Sequence, residues 1–111
     1  MLTDHIWKFK EITTSSTNPN IASIVSFTNA LMTNATMEFK TNGTYVLTAM
    51  NQTATGTWEL SDDGKSLTID PVDGEVDVMK VAKLTKTDLI LEGEEIDSTY
   101  GAYSVTMHWV K

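Results

Sequence analysis

The sequence predicts an all-β domain in which eight antiparallel strands run up and down and close into a barrel, with one short helix between strands 1 and 2. Three observations carry this. From about residue 35 to the C-terminus, apolar side chains recur with a period of two. The runs are short and are separated by turn chemistry, such as Asn-Gly at 42–43 and Asp-Asp-Gly at 62–64. The alternation is interrupted by helical spacing in one place, directly after the first strand.

Residues 5–13, HIWKFKEIT, alternate Trp7 and Phe9 with lysines and form the first strand. SSTNPN then supplies turn and cap residues. In IASIVSFTNALMTN, the residues Ile21, Ile24, Val25, Thr28, Leu31 and Met32 follow the three-four spacing of one helix face, which predicts a helix over 19–32. Asn18 or Asn20 caps it, and Pro19 is tolerated in its first turn. Its β-branched residues lower its propensity, so packing must hold it.

ATMEFK places Met37 and Phe39 on one face, and TYVLTA places Tyr45, Leu47 and Ala49 on one face. A three-residue loop over 41–43, with Gly43 left-handed, pairs Phe39 with Tyr45 and keeps that face apolar. In GTWELSDDGKSLTI, Leu60 and Leu67 face each other only across an even-numbered loop, either 63–64 or 62–65. EVDVMKVAKLT, DLILEGEE and AYSVTMHWV complete the set, joined by Thr-Lys-Thr-Asp at 85–88 and by residues 96–101.

Eight sequential antiparallel strands leave an open edge unless the sheet closes, and a barrel of eight holds side chains or one small ligand. An open, flattened sandwich is the alternative. The expected inward layer is Trp7, Phe9, Met37, Phe39, Tyr45, Leu47, Trp58, Leu67, Val76 or Val78, Leu89, Leu91, Tyr103, Met107 and Trp109. The whole chain, residues 1–111, reads as one domain.

Composition narrows the function classes. The net charge is -7, and all eight basic residues are lysine, so the chain lacks the arginine fork that grips phosphate or guanine. Nucleic acid and anionic membrane surfaces are therefore not expected partners. There is no cysteine, hence no disulfide, thiolate metal site or thiol nucleophile. No apolar run approaches the ~18 residues of a helical membrane span. The start MLTDHIWKF lacks a basic region followed by an apolar segment, so no signal segment is expected within this chain.

The candidate chemistry is thin. His5 and His108 read as surface histidines, and no nucleophile and base stand at a recognisable spacing. An enzyme is not expected, nor a cofactor or a metal. DPVDGEVD (70–77) clusters Asp70, Asp73, Glu75 and Asp77 but does not match the twelve-residue calcium loop, and reads as a solvated turn. EGEEID (92–97) reads as a solvated edge that discourages sheet pairing. The sequons at Asn34, Asn42 and Asn51 are what an Asn- and Thr-rich chain produces by chance, and Asn42 is required by its turn.

The segments IWKF (6–9), MEFKTNGTYVLT (37–48), GTWELSDDGKSLTI (56–69) and KLTKTDLILEG (83–93) resemble the lipocalin-like domains of bacterial envelope proteins, in the broad calycin group. Two features depart from lipocalins proper. His5 stands two residues before Trp7, where they carry glycine, and no arginine can stack on that tryptophan, which leaves Lys111 or His108 as stand-ins. The resemblance implies a small lipophilic or amphipathic ligand inside the barrel, and export to the cell envelope or beyond. The ligand-facing candidates are Met37, Phe39, Tyr45, Leu47, Trp58, Tyr103, Met107 and Trp109. Beside this stands a different class, a cell-envelope structural or protein-interaction module whose barrel is filled by the same side chains. A closed barrel needs no partner to protect its edges, so a monomer is expected.

Overall fold

The computed structural model describes residues 2–72 and 74–111. Its elements in chain order are β1 (Trp7–Thr13), α1 (Pro19–Leu31), β2 (Thr36–Phe39), β3 (Thr44–Ala49), β4 (Gln52–Leu60), β5 (Ser66–Pro71), β6 (Asp77–Leu84), β7 (Asp88–Asp97) and β8 (Gly101–Val110). Each strand pairs antiparallel with the next, and β8 returns to β1, so the sheet closes as an up-and-down barrel. The expected architecture is the one observed, and among the described residues every strand pairs with a neighbour on both sides over at least part of its length.

The turn chemistry sets the registers. Phe39 pairs with Tyr45 across residues 41–43, and Gly43 has φ +88°. Asn42 Oδ1 accepts from Thr44 N at 3.1 Å and from Thr44 Oγ1 at 2.6 Å, which fixes that loop. Leu60 pairs with Leu67 across the four residues 62–65; Asp63 Oδ1 accepts from Ser61 Oγ and Lys65 N, and Gly64 has φ +72°. Both loops keep the apolar face continuous through the turn. Asp73 of the acidic segment 70–77 lies outside the described residues.

Two bulges change the parity of the inward layer. On β6 the interior residue is Met79, paired with Leu67, and not Val76 or Val78, which are 57% and 60% exposed. A bulge between Val81 and Lys83 inserts one residue, so counting back by twos from inward Leu84 reaches the wrong face. On β1 a bulge between Phe9 and Glu11 likewise turns Ile12 inward, where it is buried.

All three tryptophans gather at one end. Trp7 and Trp109 are fully buried, and Phe9 meets Trp109 edge-on with centroids 5.4 Å apart. Trp58 sits edge-on to Phe39 at 5.5 Å and donates its indole N–H to Lys40 O at 3.0 Å. Trp7 donates to Leu2 O at 3.1 Å, which draws Leu2 into the core. Leu67 and Leu89, both at 0% exposure, complete a packed plug. His5 departs from a surface histidine. Its ring lies 4.4 Å from that of Trp7, and its Nε2 is buried without a hydrogen-bond partner among the described residues. His108 does face outward, with Nε2 2.9 Å from Asp88 Oδ1.

Candidate functional site

The barrel narrows in content from the tryptophan end to the other. Along β4 the inward residues run from Leu60 and Trp58 to Gly56 and Ala54; along β7 they run from Leu89 and Leu91 to Gly93 and Glu95. Large side chains fill one half, and small or polar ones line the sheet in the other. Gly56 is required by close contact. A β carbon there would stand 2.2 Å from Asp70 O and 2.8 Å from the Tyr45 ring.

Helix α1 lies across this second half. Asn18 caps it by accepting from Asn20 N at 2.9 Å, and Pro19 occupies the first turn. Ile21 and Val25 are buried against Ile12 and Val105, whereas Leu31, placed on the apolar face by its spacing, is 37% exposed at the rim. The helix ends at Leu31, with Met32 as its C-cap. Asn29 ties it to the wall. Its Nδ2 donates to Ile12 O at 2.7 Å, and its Oδ1 accepts from Ile12 N at 2.8 Å. One side chain thus serves both backbone groups of Ile12 as a neighbouring strand would. It does so where the β1–β2 ladder, which covers Trp7 and Lys8, has already ended.

Between the helix and strands β1, β7 and β8 lies a cavity of about 300 Å³. Ile12, Val25, Met32, Val105 and Met107 form its apolar wall, and Thr28, Tyr103 and Glu95 supply its polar groups. The volume stands at the lower end of the range for small-molecule pockets, about 300–1,000 Å³. Burial, and then the neighbouring Glu95 and Asp97 carboxylates, push the Tyr103 phenol above its ordinary pKa. Burial, and then Asp77, push the Glu95 carboxyl upward in the same way. Glu95 is exposed, as expected of the solvated edge 92–97, and it also borders the chamber.

A larger hollow of about 610 Å³ lies elsewhere, bordered by Thr44, Val46, Thr55, Thr57, Asp70 and Val72 among others. Inward Tyr45 and Gly56 alternate with Thr44, Val46, Thr55 and Thr57, so most of this hollow follows the outer wall. Its size therefore does not make it the barrel's interior site.

The eight ligand-facing candidates divide between the two halves. Tyr103 and Met107 line the chamber under the helix. Met37, Phe39, Tyr45 and Trp109 are buried in the packed cluster, and Leu47 and Trp58 pack against it half-buried. The chamber also takes Ile12, Val25, Thr28, Met32, Glu95 and Val105. Of these, Val25, Thr28 and Met32 were legible as a helix face. Ile12 was hidden by its bulge, and Glu95 by its acidic neighbours. Among the described residues, no cluster of three His, Cys, Asp or Glu side chains could hold a metal ion, and no helix is long and apolar enough to cross a membrane.

The family model described as a lipocalin-like domain matches residues 4–91, and the chain belongs to that family. Among solved structures, it is similar to a DUF4847 family protein from Bacteroides vulgatus ATCC 8482. The TM-score is 0.60 at 13% identity, covering 96% of this chain and 94% of that one, a likeness of fold. No curated protein matches.

Proposed function

Within the lipocalin-like family, we propose that this chain binds a small lipophilic or amphipathic molecule, without catalysis, in the chamber beneath α1. The observation that carries the reading is the apolar cavity of about 300 Å³ at the end of the barrel that the tryptophans leave unfilled. Binding replaces water against Ile12, Val25, Val105 and Met107 with ligand carbon, and burial of apolar area supplies roughly 25 cal/mol per Å². The wall is held in place by strand pairing before ligand arrives, which limits the ordering cost of association. Thr28 and Tyr103 offer hydroxyls to orient a polar end. Helix α1 acts as the lid, latched by Asn29.

Titration with N-phenylnaphthylamine, a neutral probe whose emission rises in apolar surroundings, tests this. Saturable enhancement in the wild type, lost in T28W, is expected, because the indole fills the chamber from the half-buried helix face. A flat wild-type titration overturns the reading. It would favour the second one, a protein-interaction module, for which the exposed Val72, Val76, Val78 and Ile96, 57–80% accessible, are the supporting observation.

Export to the cell envelope or medium belongs to the same proposal, and its support is the likeness of the strand motifs to envelope domains. Fractionation of cells carrying the full-length gene tests it. A monomer follows from the closed sheet and is checked by sedimentation equilibrium.

A further inference from the structure

The chamber does not end at its apolar wall. The β6–β7 ladder stops at Lys80 and Glu92, while β7 continues to Asp97 against β8 and β6 continues towards Asp77 against β5. In the space where the two strands part lies a hollow of about 380 Å³ bordered by Glu75, Val76, Asp77, Glu94, Glu95 and Ile96. Like charges facing each other across a ladder disfavour pairing, and in the continued register Asp77 would face Glu95 and Glu75 would face Asp97. Glu95 lines both spaces, so the acidic hollow and the apolar chamber meet at one carboxylate. Among the described residues, no lysine borders either space. Lys80, on the same strand, alternates with inward Met79 and Val81 and lies on the outer face.

We propose that the molecule bound in the chamber is an amphipathic cation, an aliphatic or aromatic body carrying an ammonium group, with its body under α1 and its charge between Glu95 and Asp77. The inference rests on the ligand-binding reading of the chamber and names the class of ligand. An apolar body alone would fit the wall but leave the Asp77 and Glu95 carboxylates, brought opposite each other where the strands part, without a cation between them. A fatty acid would place a second carboxylate against a rim that already holds several. An ammonium supplies the missing partner and remains near solvent in the gap between β6 and β7. The raised Glu95 and Tyr103 pKa values point the same way, since both groups sit in surroundings that disfavour further negative charge.

The test is calorimetric titration with three probes of one chain length, octylammonium, octanol and octanoate, against wild type, E95Q and T28W. Octylammonium is expected to bind about tenfold more tightly than octanol, the order of one partly desolvated charge contact, with octanoate weaker than both. E95Q should collapse the ammonium-to-octanol ratio towards one, and T28W should abolish binding of all three. Melting curves of both variants establish that they fold. Octanoate binding as tightly as octylammonium, or a preference for ammonium that survives E95Q, overturns the cation inference while leaving the chamber as the site. Failure of all three probes on the wild type, or binding that persists in T28W, removes the chamber reading and this inference with it.

Discussion

Replacing Asn29 by alanine removes the latch between the lid and the wall, and its effect can be worked out from the contacts. The substitution deletes two hydrogen bonds to the Ile12 backbone, at 2.7 and 2.8 Å, and a longer one to Val25 O at 3.2 Å. A typical hydrogen bond contributes about 1 kcal/mol net, and a buried group left unpaired costs roughly 1–3 kcal/mol. The Asn29 site is part-buried, so water recovers some of this, and the expected loss is about 2 kcal/mol. For a domain of this size that lowers the melting temperature by about 8 °C. Urea titration gives the global value. Hydrogen exchange gives the local one, with the amides of α1 and of Ile12 accelerating before those of β5 and β7. N29D serves as the paired control: it keeps an acceptor for Ile12 N but turns a carboxylate against Ile12 O, and should be no better than alanine. A loss below about 0.5 kcal/mol, the level of an ordinary surface change, with unaltered exchange in α1, would refute the assignment of Asn29 as the latch.

Three further outcomes follow from the packing. G56A should fail to fold or lose more than about 3 kcal/mol, because its methyl would meet Asp70 O at 2.2 Å; a stable variant by circular dichroism contradicts the close approach. L67A should cost about 3 kcal/mol in urea titration, since Leu67 is at 0% exposure in the packed half, while probe binding under α1 persists; loss of binding at unchanged fold would tie the chamber to the plug. The hydrogen bonds from His108 and then Thr87 hold the Asp88 carboxyl below the usual aspartate range. A depressed carboxylate pKa stabilises the fold above the unfolded-state value, and that contribution disappears as pH falls through the folded-state value. D88N should therefore melt below wild type at neutral pH, with the gap closing in strong acid; a gap independent of pH would exclude the ionised carboxylate as its source.

The barrel was legible because its determinants are local. Asn-Gly at 42–43 and the even loop at 62–65 each fix a register, and a register of period two fixes a face. The interior was less legible, because a bulge is a backbone event with no residue signature of its own. Those on β1 and β6 exchanged which residues face inward, bringing in Ile12 and Met79 and turning out Val78. Asn29 reads in sequence as a polar residue on a helix, and only the neighbouring unpaired backbone of Ile12 gives it a task. Glu95 is one of four acidic residues in EGEEID, and strand parity together with the early end of the β6–β7 ladder sets it apart. The aromatic candidates were conspicuous for their size, and size is what drew most of them into the filled half. Room for a ligand is found instead under the helix, among Ile12, Val25, Met32, Val105 and Met107.

That the barrel is packed at one end and open to a ligand at the other is tested most directly by methyl-resolved NMR with octylammonium as the probe. Saturable shifts at the methyls of Ile12, Val25, Met32, Val105 and Met107, with those of Leu67 and Leu89 unmoved, are the expected result. Shifts confined to Val46 and Val72 on the outer wall, or no shifts at saturating probe, would contradict it.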